Sequence, residues 1–265
     1  NENAAKEFYL TDLVKIISAK GIKIKPIKAN NDEVRGANSK KELEALETIL
    51  RDMNAEDLLE QGITLADKAR TDVRGDVSAG SDCEIDVNVI FEGKIQLGNN
   101  VSIGANNYLK DVVIGDNTRI EPFSHLCNAQ VGANCNIGPY ARLREGSVIE
   151  DAAKVGNFVE TKKTILGKGA KANHFTYLGD AEIGENTNIG AGTITCNYDG
   201  ENKHKTSVGE NSFIGTNSSL VAPVEVGKNA YVGAGSVITK DVPDNALAVG
   251  RGKQVIKEGY SKDKK

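Results

Sequence analysis

Val208-Gly-Glu-Asn-Ser-Phe-Ile214-Gly-Thr-Asn-Ser-Ser-Leu220, continued by Val226, Val232 and Ile238, returns an aliphatic residue every sixth position. The same beat runs back through Ile189, Ile183, Leu178, Ala172 and Leu166, then from Val155 through Ile149, Leu143, Ile137, Val131, Leu126, Ile120, Ile114 and Ile103 to Leu97. A period of six matches neither a helical face, which returns at 3.6, nor a simple alternating strand. It fits a parallel β-helix, in which each side of a coil is one short strand plus a turn. The aliphatic residue points inward and stacks on its equivalents, and the Gly that usually follows is expected to supply corner dihedrals. Three hexapeptides make one coil, so coils lie roughly 4.8 Å apart. Five-residue steps, such as Leu126 to Val131 and Leu178 to Ile183, read as corner adjustments.

Composition fits this architecture. The 265 residues are 39% hydrophobic, include 28 Gly and no Trp, and are only 5% aromatic, so the core is built from Val, Ile, Leu and Ala. A net charge of -4 argues against non-specific nucleic-acid binding. Cys83, Cys127, Cys135 and Cys196 form no CxxC pair and read as free thiols of a reducing compartment. With no apolar run long enough to cross a bilayer and no secretory signal, a cytoplasmic protein without membrane insertion is expected.

Ahead of the repeat the chain is organised differently. Thr11 to Lys20 predicts a short helix stopped by Gly21, and Ile22 to Ile27 an alternating strand. One helix and one strand cannot bury a core alone, and the chain opens at Asn1 without Met, so residues 1–38 are expected to be the cut edge of a larger α/β domain. Ser39 and Glu42 form a capping box before the apolar stripe Leu43, Leu46, Ile49, Leu50 and Met53. A separate helical turn is expected from Ala55 to Gln61, making 39–62 a helical linker to the coil at 63–250. A basic tail follows at 251–265.

The beat lapses once conspicuously, in the polar stretch between Ile194 and Val208, and loops that break a regular scaffold concentrate function. His174 can act as a general base near neutral pH, or be a corner histidine without a role. Arg144, Lys162 and Lys203 are candidates to hold a phosphate, or ordinary solvated charges. Arg144 and Lys162 are eighteen residues apart, which puts them on equivalent sides of adjacent coils. A zinc site on His125, His174 and His204 is disfavoured, because their separations of 49 and 30 residues are not multiples of a coil. No nucleotide-binding loop or Ser nucleophile elbow is present.

The runs Gly138-Pro-Tyr-Ala-Arg-Leu-Arg144, Val155-Gly-Asn-Phe-Val-Glu-Thr-Lys-Lys163, His174-Phe-Thr-Tyr-Leu-Gly-Asp180 and Asn188-Ile-Gly-Ala-Gly-Thr-Ile-Thr-Cys-Asn-Tyr-Asp-Gly200 resemble the bacterial bifunctional N-acetylglucosamine-1-phosphate uridyltransferase / glucosamine-1-phosphate acetyltransferase family. The resemblance covers essentially the whole chain. It implies a mainly β fold: a left-handed parallel β-helix with an N-terminal α/β remnant and a helical linker. The left hand comes from the resemblance, since general rules for parallel crossovers give the right hand. It further implies a homotrimer with sites between subunits, where the Lys203 loop and the Arg251 tail can act in trans.

By the same resemblance, His174 is the general base that frees the 2-amino group of glucosamine 1-phosphate to attack acetyl-CoA, and Glu160 orients the amine or the base. Arg144, Lys162, Tyr177 and Lys203 hold the sugar phosphate, and Asn188, Asn197 and Tyr198 contact the sugar. Ala191, Thr216, Ala234 and Arg251 contact acetyl-CoA, with Thr216 standing where some relatives have serine. Asn38 matches an asparagine that helps hold Mg2+ in the uridyltransferase site. The aspartate that would complete that site and the Gly-rich nucleotide loop are absent, so uridyltransferase activity is expected to be missing. Two readings compete: a hexapeptide-repeat acyltransferase with another acceptor, and a non-enzymatic β-helical scaffold.

Overall fold

The computed structural model describes residues 6–260; residues 1–5 and 261–265, at the ends of the expected first and last segments, lie outside. The chain divides into two compact units, one up to Ile49 and one from Leu50 onward. In the first, helix α1 spans Asp12–Ala19, as its periodicity predicts. The strand expected at Ile22 to Ile27 is not formed, and Ile22, Ile24 and Ile27 are exposed. An alternating pattern makes a strand only when a neighbour completes its hydrogen-bond ladder, and the described residues of this unit offer none.

Helix α2 runs unbroken over Lys40–Glu60. At its start the Glu42 N–H donates to Ser39 Oγ at 3.2 Å, and Glu42 Oε2 accepts from the Asn38 N–H at 2.6 Å. The turn expected at Ala55 to Gln61 is therefore the end of α2, because no Gly or Pro interrupts the chain before Gly62. In the second unit Ala55 and Leu58 are buried, and Asn54 donates to the Val73 carbonyl at 3.0 Å. Lys68 bonds Asp52 and Glu56, which pushes its pKa up to about 12.

From Thr64 the chain winds into a parallel β-helix. One side can be followed through Cα partners: Thr64, Glu84, Ser102, Arg119, Asn136, Lys154, Lys171, Asn188, Phe213, Tyr231 and Leu247. Most steps are seventeen or eighteen residues, so the five-residue slips in the beat are seventeen-residue coils. Stacking starts well before Leu97 and continues past Pro243 to the strand Leu247–Ala248. The inner columns are almost wholly aliphatic and buried, each Leu or Ile contributing ~1.5–3 kcal/mol relative to exposure. Where the beat skips, between Val155 and Leu166 and after Ile189, the coil does not lapse. Buried Thr161 and Thr195 fill the inward slots.

The repeat glycines have a different reason from the one expected. Of those that follow the aliphatic position, only Gly138 has positive φ. Most corner dihedrals near +55° are instead taken by Asn, including Asn88, Asn100, Asn106, Asn117, Asn134 and Asn186, a residue type that tolerates the left-handed region. Several join coil to coil, as in Asn100 Nδ2 to Asn117 Oδ1 at 2.8 Å. The glycines are needed because the next coil's backbone is too close. A Cβ on Gly115 would lie 2.7 Å from both Ala133 N and the Gly132 carbonyl carbon.

Gly115→Ala is expected to lower unfolding free energy by about 1–3 kcal/mol, the usual size of overpacking. Gly252→Ala, which has negative φ and open space around it, is expected to be neutral. Urea unfolding of the two variants checks the contrast.

Candidate functional site

His174 lies on the strand Lys171–Ile183, immediately before Phe175 bends the chain round a corner at φ +48°. On the coil below, its Cα partner is Asn157, and Asn157 Oδ1 is 2.6 Å from His174 Nδ1. Ala172, Ile189, Ile214 and Val232 are stacked partners, and two residues beyond each come His174, Ala191, Thr216 and Ala234. Coil-to-coil bonds hold this line: Gly192 N–H to the His174 carbonyl, Asn217 N–H to Ala191 and Gly235 N–H to Thr216. Arg251 Nη1 donates to the Ala234 carbonyl at 2.9 Å, closing the line at the tail. The histidine and the four residues expected to meet acetyl-CoA thus share one corner, on which the small side chains of Ala191, Thr216 and Ala234 separate His174 from Arg251.

The adjacent side carries the charges. Arg142, Glu160, Tyr177 and Ile194 form one column. Arg144, Lys162 and Gly179 form the next, as the eighteen-residue spacing predicts. Arg144 Nη1 donates to Glu160 Oε1 at 2.8 Å, and Lys162 Nζ bonds Glu145 Oε1 at 3.0 Å. The Glu160 carboxylate raises the Arg144 pKa, and Lys162 lowers that of Glu145. Gly179 leaves room here for the hydroxyl of Tyr177 and for Asn197 Nδ2, which would lie 2.8 Å from a Cβ. Buried Thr195 braces this strand from inside, accepting from the Gly179 N–H at 2.8 Å.

The polar stretch is an insertion that lengthens one coil to twenty-five residues between Asn188 and Phe213. Its base is tied by Asn197 Nδ2 to Asp180 Oδ2 at 2.6 Å. Tyr198 and Lys203 face each other in an antiparallel bridge, and exposed Tyr198 donates to the Gly200 carbonyl. Asp199 Oδ1 accepts the Asn202 and Glu201 N–H groups, and Oδ2 lies 2.6 Å from His204 Nε2. Those bonds, the Asn202 amide first, depress the Asp199 pKa far below the ordinary carboxylate range.

Within one chain not every expected residue converges. Lys203 lines an open cleft of about 470 Å3 with Gly146, Lys163, Glu182 and Lys205, round the corner from Arg144 and Lys162. Asn188 is on the preceding side, three residues before Ala191. His125 stacks on Tyr108 at 4.9 Å and is pushed toward neutrality, first by burial and then by Arg142. Among the described residues no three His, Cys, Asp or Glu side chains gather into a cation site. Asn38 is exposed and by itself does not make a Mg2+ site.

Three features were missed from sequence. Asn157 is seventeen residues before His174, a spacing that becomes visible only once seventeen-residue coils are recognised. Arg142 approaches Glu160 at 3.6 Å. Phe123, Tyr140, Phe158 and Phe175 stack at 5.0–5.2 Å up the corner to His174, all with positive φ.

A model of the GMPPB C-terminal domain matches residues 73–159, and one of the bacterial transferase hexapeptide (six repeats) matches residues 205–240. The bifunctional protein GlmU of Psychrobacter sp. (strain PRwf-1) is 56% identical over 100% of this chain and 58% of its own length. Over the part of those proteins that it spans, the chain belongs to the GlmU family. GlmU of Acinetobacter baumannii (strain AYE) is 53% identical over 100% of the chain and 59% of that protein. GlmU of Idiomarina loihiensis is 55% identical over 99% of the chain and 58% of that protein. The chain thus spans somewhat less than three-fifths of the relatives it matches. Among the described residues, no helix is long and apolar enough to cross a membrane.

Asp199→Ala is expected to unlatch the insertion, with faster hydrogen exchange at the Glu201 and Asn202 amides and no change elsewhere in the coil. Because the folded pKa is depressed, the Asp199 contribution is complete above the unfolded value of 3.8 and fades as pH falls below it. Protection of the same amides in the unsubstituted chain, measured against their intrinsic exchange rates, should fall selectively over that acid range.

Proposed function

We propose that the chain carries the acetyltransferase activity of its bifunctional relatives, moving the acetyl group of acetyl-CoA to the 2-amino group of glucosamine 1-phosphate. The observation that carries this reading is the single corner line from His174 through Ala191, Thr216 and Ala234 to Arg251, beside the Arg144 and Lys162 column. A thioester arm lying along the small residues of that corner reaches the histidine, while the sugar phosphate exchanges into the cation pairs on the adjoining side.

In the reaction, His174 takes a proton from the 2-ammonium group. The freed nitrogen attacks the thioester carbonyl, a C–N bond forms, the C–S bond breaks, and the sulfur takes up the nitrogen's second proton so that coenzyme A leaves as the thiol. The backbone N–H near Ala191 is the oxyanion donor. Phosphate binding by Arg144, Lys162 and Tyr177 is remote from the reacting nitrogen and serves to orient it. Its cost is small, because Glu160 and Glu145 hold these cations in partly exposed pairs that release with little loss. Glu160, freed from Arg144, can then receive the ammonium group, and Asn188, Asn197 and Tyr198 contact the sugar.

We read the functional unit as a cytoplasmic homotrimer. Lys203, directed in its own chain to a different cleft, would complete the phosphate site of a neighbouring subunit, as a C3 ring with sites at its seams allows. The product, N-acetylglucosamine 1-phosphate, would serve UDP-N-acetylglucosamine formation for peptidoglycan and lipopolysaccharide. Mg2+ belongs to the uridyltransferase half of the relatives and has no part in the acetyl transfer.

Thiol release from acetyl-CoA should be far faster with glucosamine 1-phosphate than with glucosamine; equal rates would remove the phosphate site. His174→Ala should lose about 10²–10⁴-fold in kcat, the weight of a general base. Lys162→Ala should instead raise KM for the phosphorylated sugar about tenfold or more, as expected for a charged hydrogen bond of ~1.5–3 kcal/mol.

A further inference from the structure

The contact between His174 and Asn157 is built rather than incidental. The two residues are Cα partners on adjacent coils, and the 2.6 Å separation of Oδ1 and Nδ1 follows from that register. Gly156 makes it attainable: a Cβ there would lie 2.7 Å from the Asn173 carbonyl carbon and 2.8 Å from its Cα, forcing the His174 strand away. Asn157 is half-buried while His174 is exposed, so the amide is the fixed partner and the ring the one being held. On the far side of the histidine, Thr176 Oγ1 donates to the His174 carbonyl at 2.8 Å and steadies the backbone.

We propose that Asn157 is a positioning residue for acetyl transfer, its side-chain oxygen holding the Nδ1 proton of His174 so that Nε2 is the nitrogen that takes the substrate proton. An amide oxygen only accepts, so the contact exists only when Nδ1 carries hydrogen. Histidine free in water favours the other tautomer, with the proton on Nε2, which is useless as a base at that atom. The bond to Asn157 therefore selects the competent form before substrate arrives and fixes the ring plane. A neutral partner also has a chemical advantage. A carboxylate in its place would stabilise the imidazolium and retain the proton, whereas the amide orients the ring without adding charge.

The charge surroundings make that distinction readable. The stacked neighbours of His174 are Asn157 below and Ala191 above, both uncharged. On the strand below, the flanking charged residues are Lys154 and Glu160, the latter tied to Arg144. On its own strand they are Lys171 and Asp180, the latter tied to Asn197. Asn188 stands on the strand above, and Arg251 bonds at Ala234, two coils higher.

The inference rests on His174 being the base, but its first test does not use activity. Nitrogen-15 NMR of ring-labelled histidine in the full chain should show His174 above its titration midpoint with hydrogen on Nδ1. Asn157→Ala should move the hydrogen largely to Nε2. Asn157→Asp should keep it on Nδ1 and raise the midpoint by about one pH unit or more, as an adjacent opposite charge does. In the acetyl-CoA assay, Asn157→Ala should lower kcat with KM for both substrates unchanged. Asn157→Asp should recover part of that loss while moving the acid limb of the kcat profile upward by the same amount as the NMR midpoint. Hydrogen on Nε2 in the unsubstituted chain, or an Asn157→Ala variant with unaltered tautomer, overturns the proposal. Full turnover in His174→Ala would instead refute the base assignment, leaving the tautomer measurement intact.

Discussion

Every coil must sit directly on the one beneath it, because the backbone N–H and C=O groups of each short strand find their partners only in adjacent coils, roughly 4.8 Å away. That spacing is fixed by hydrogen-bond geometry and leaves no freedom for the outer turns. Where one turn descends on the next, a Cβ would overlap backbone, so Gly115, Gly184 and Gly209 have no alternative. Where the chain reverses, φ is positive at each coil, and Asn serves because its amide can also bond its copy in the next coil.

The same constraint turns sequence spacing into columns. A charge placed once per coil meets whatever stands sixteen to eighteen residues away, so Arg142 and Arg144 meet Glu160, and Lys162 meets Glu145. Such pairs hold cations in place without satisfying them fully, as the phosphate site proposed above requires. The aromatic corner shows the balance of terms. Phe123, Tyr140, Phe158 and Phe175 occupy a region that costs L-residues roughly 1–2 kcal/mol each, and stacked rings return about 0.5–1.5 kcal/mol per pair. Three such pairs offset about half the cost of the four residues, and above Phe175 the corner passes to Gly192, Asn217 and Gly235.

The largest departure from the regular coil, among the described residues, is the twenty-five-residue one. The insertion after Cys196 leaves the stacked strands on both sides in register, since Ala181, Glu182 and Ile183 pair with Thr206, Ser207 and Val208 across it. A scaffold whose coils are separately ladder-bonded can absorb extra residues in a turn without disturbing the coil above. The insertion carries its own order through Asp199, which binds two backbone amides and His204.

By itself the sequence determined the coil, its inward residues, and the shared column of Arg144 and Lys162, because a six-residue period is a local property of the chain. It misjudged the segment Ile22 to Ile27, whose alternation finds no neighbour to pair with among the described residues, and the glycines, whose necessity comes from a coil about seventeen positions away. It also passed over Thr161 and Thr195, where a threonine fills an aliphatic slot. Tertiary structure alone decided that Asn157 lies against His174, that Asn197 and Tyr177 meet over Gly179, and that Lys203 faces a different cleft in its own chain. These depend on whether a coil has seventeen, eighteen or twenty-five residues, and one residue more or less moves a side chain to a different partner.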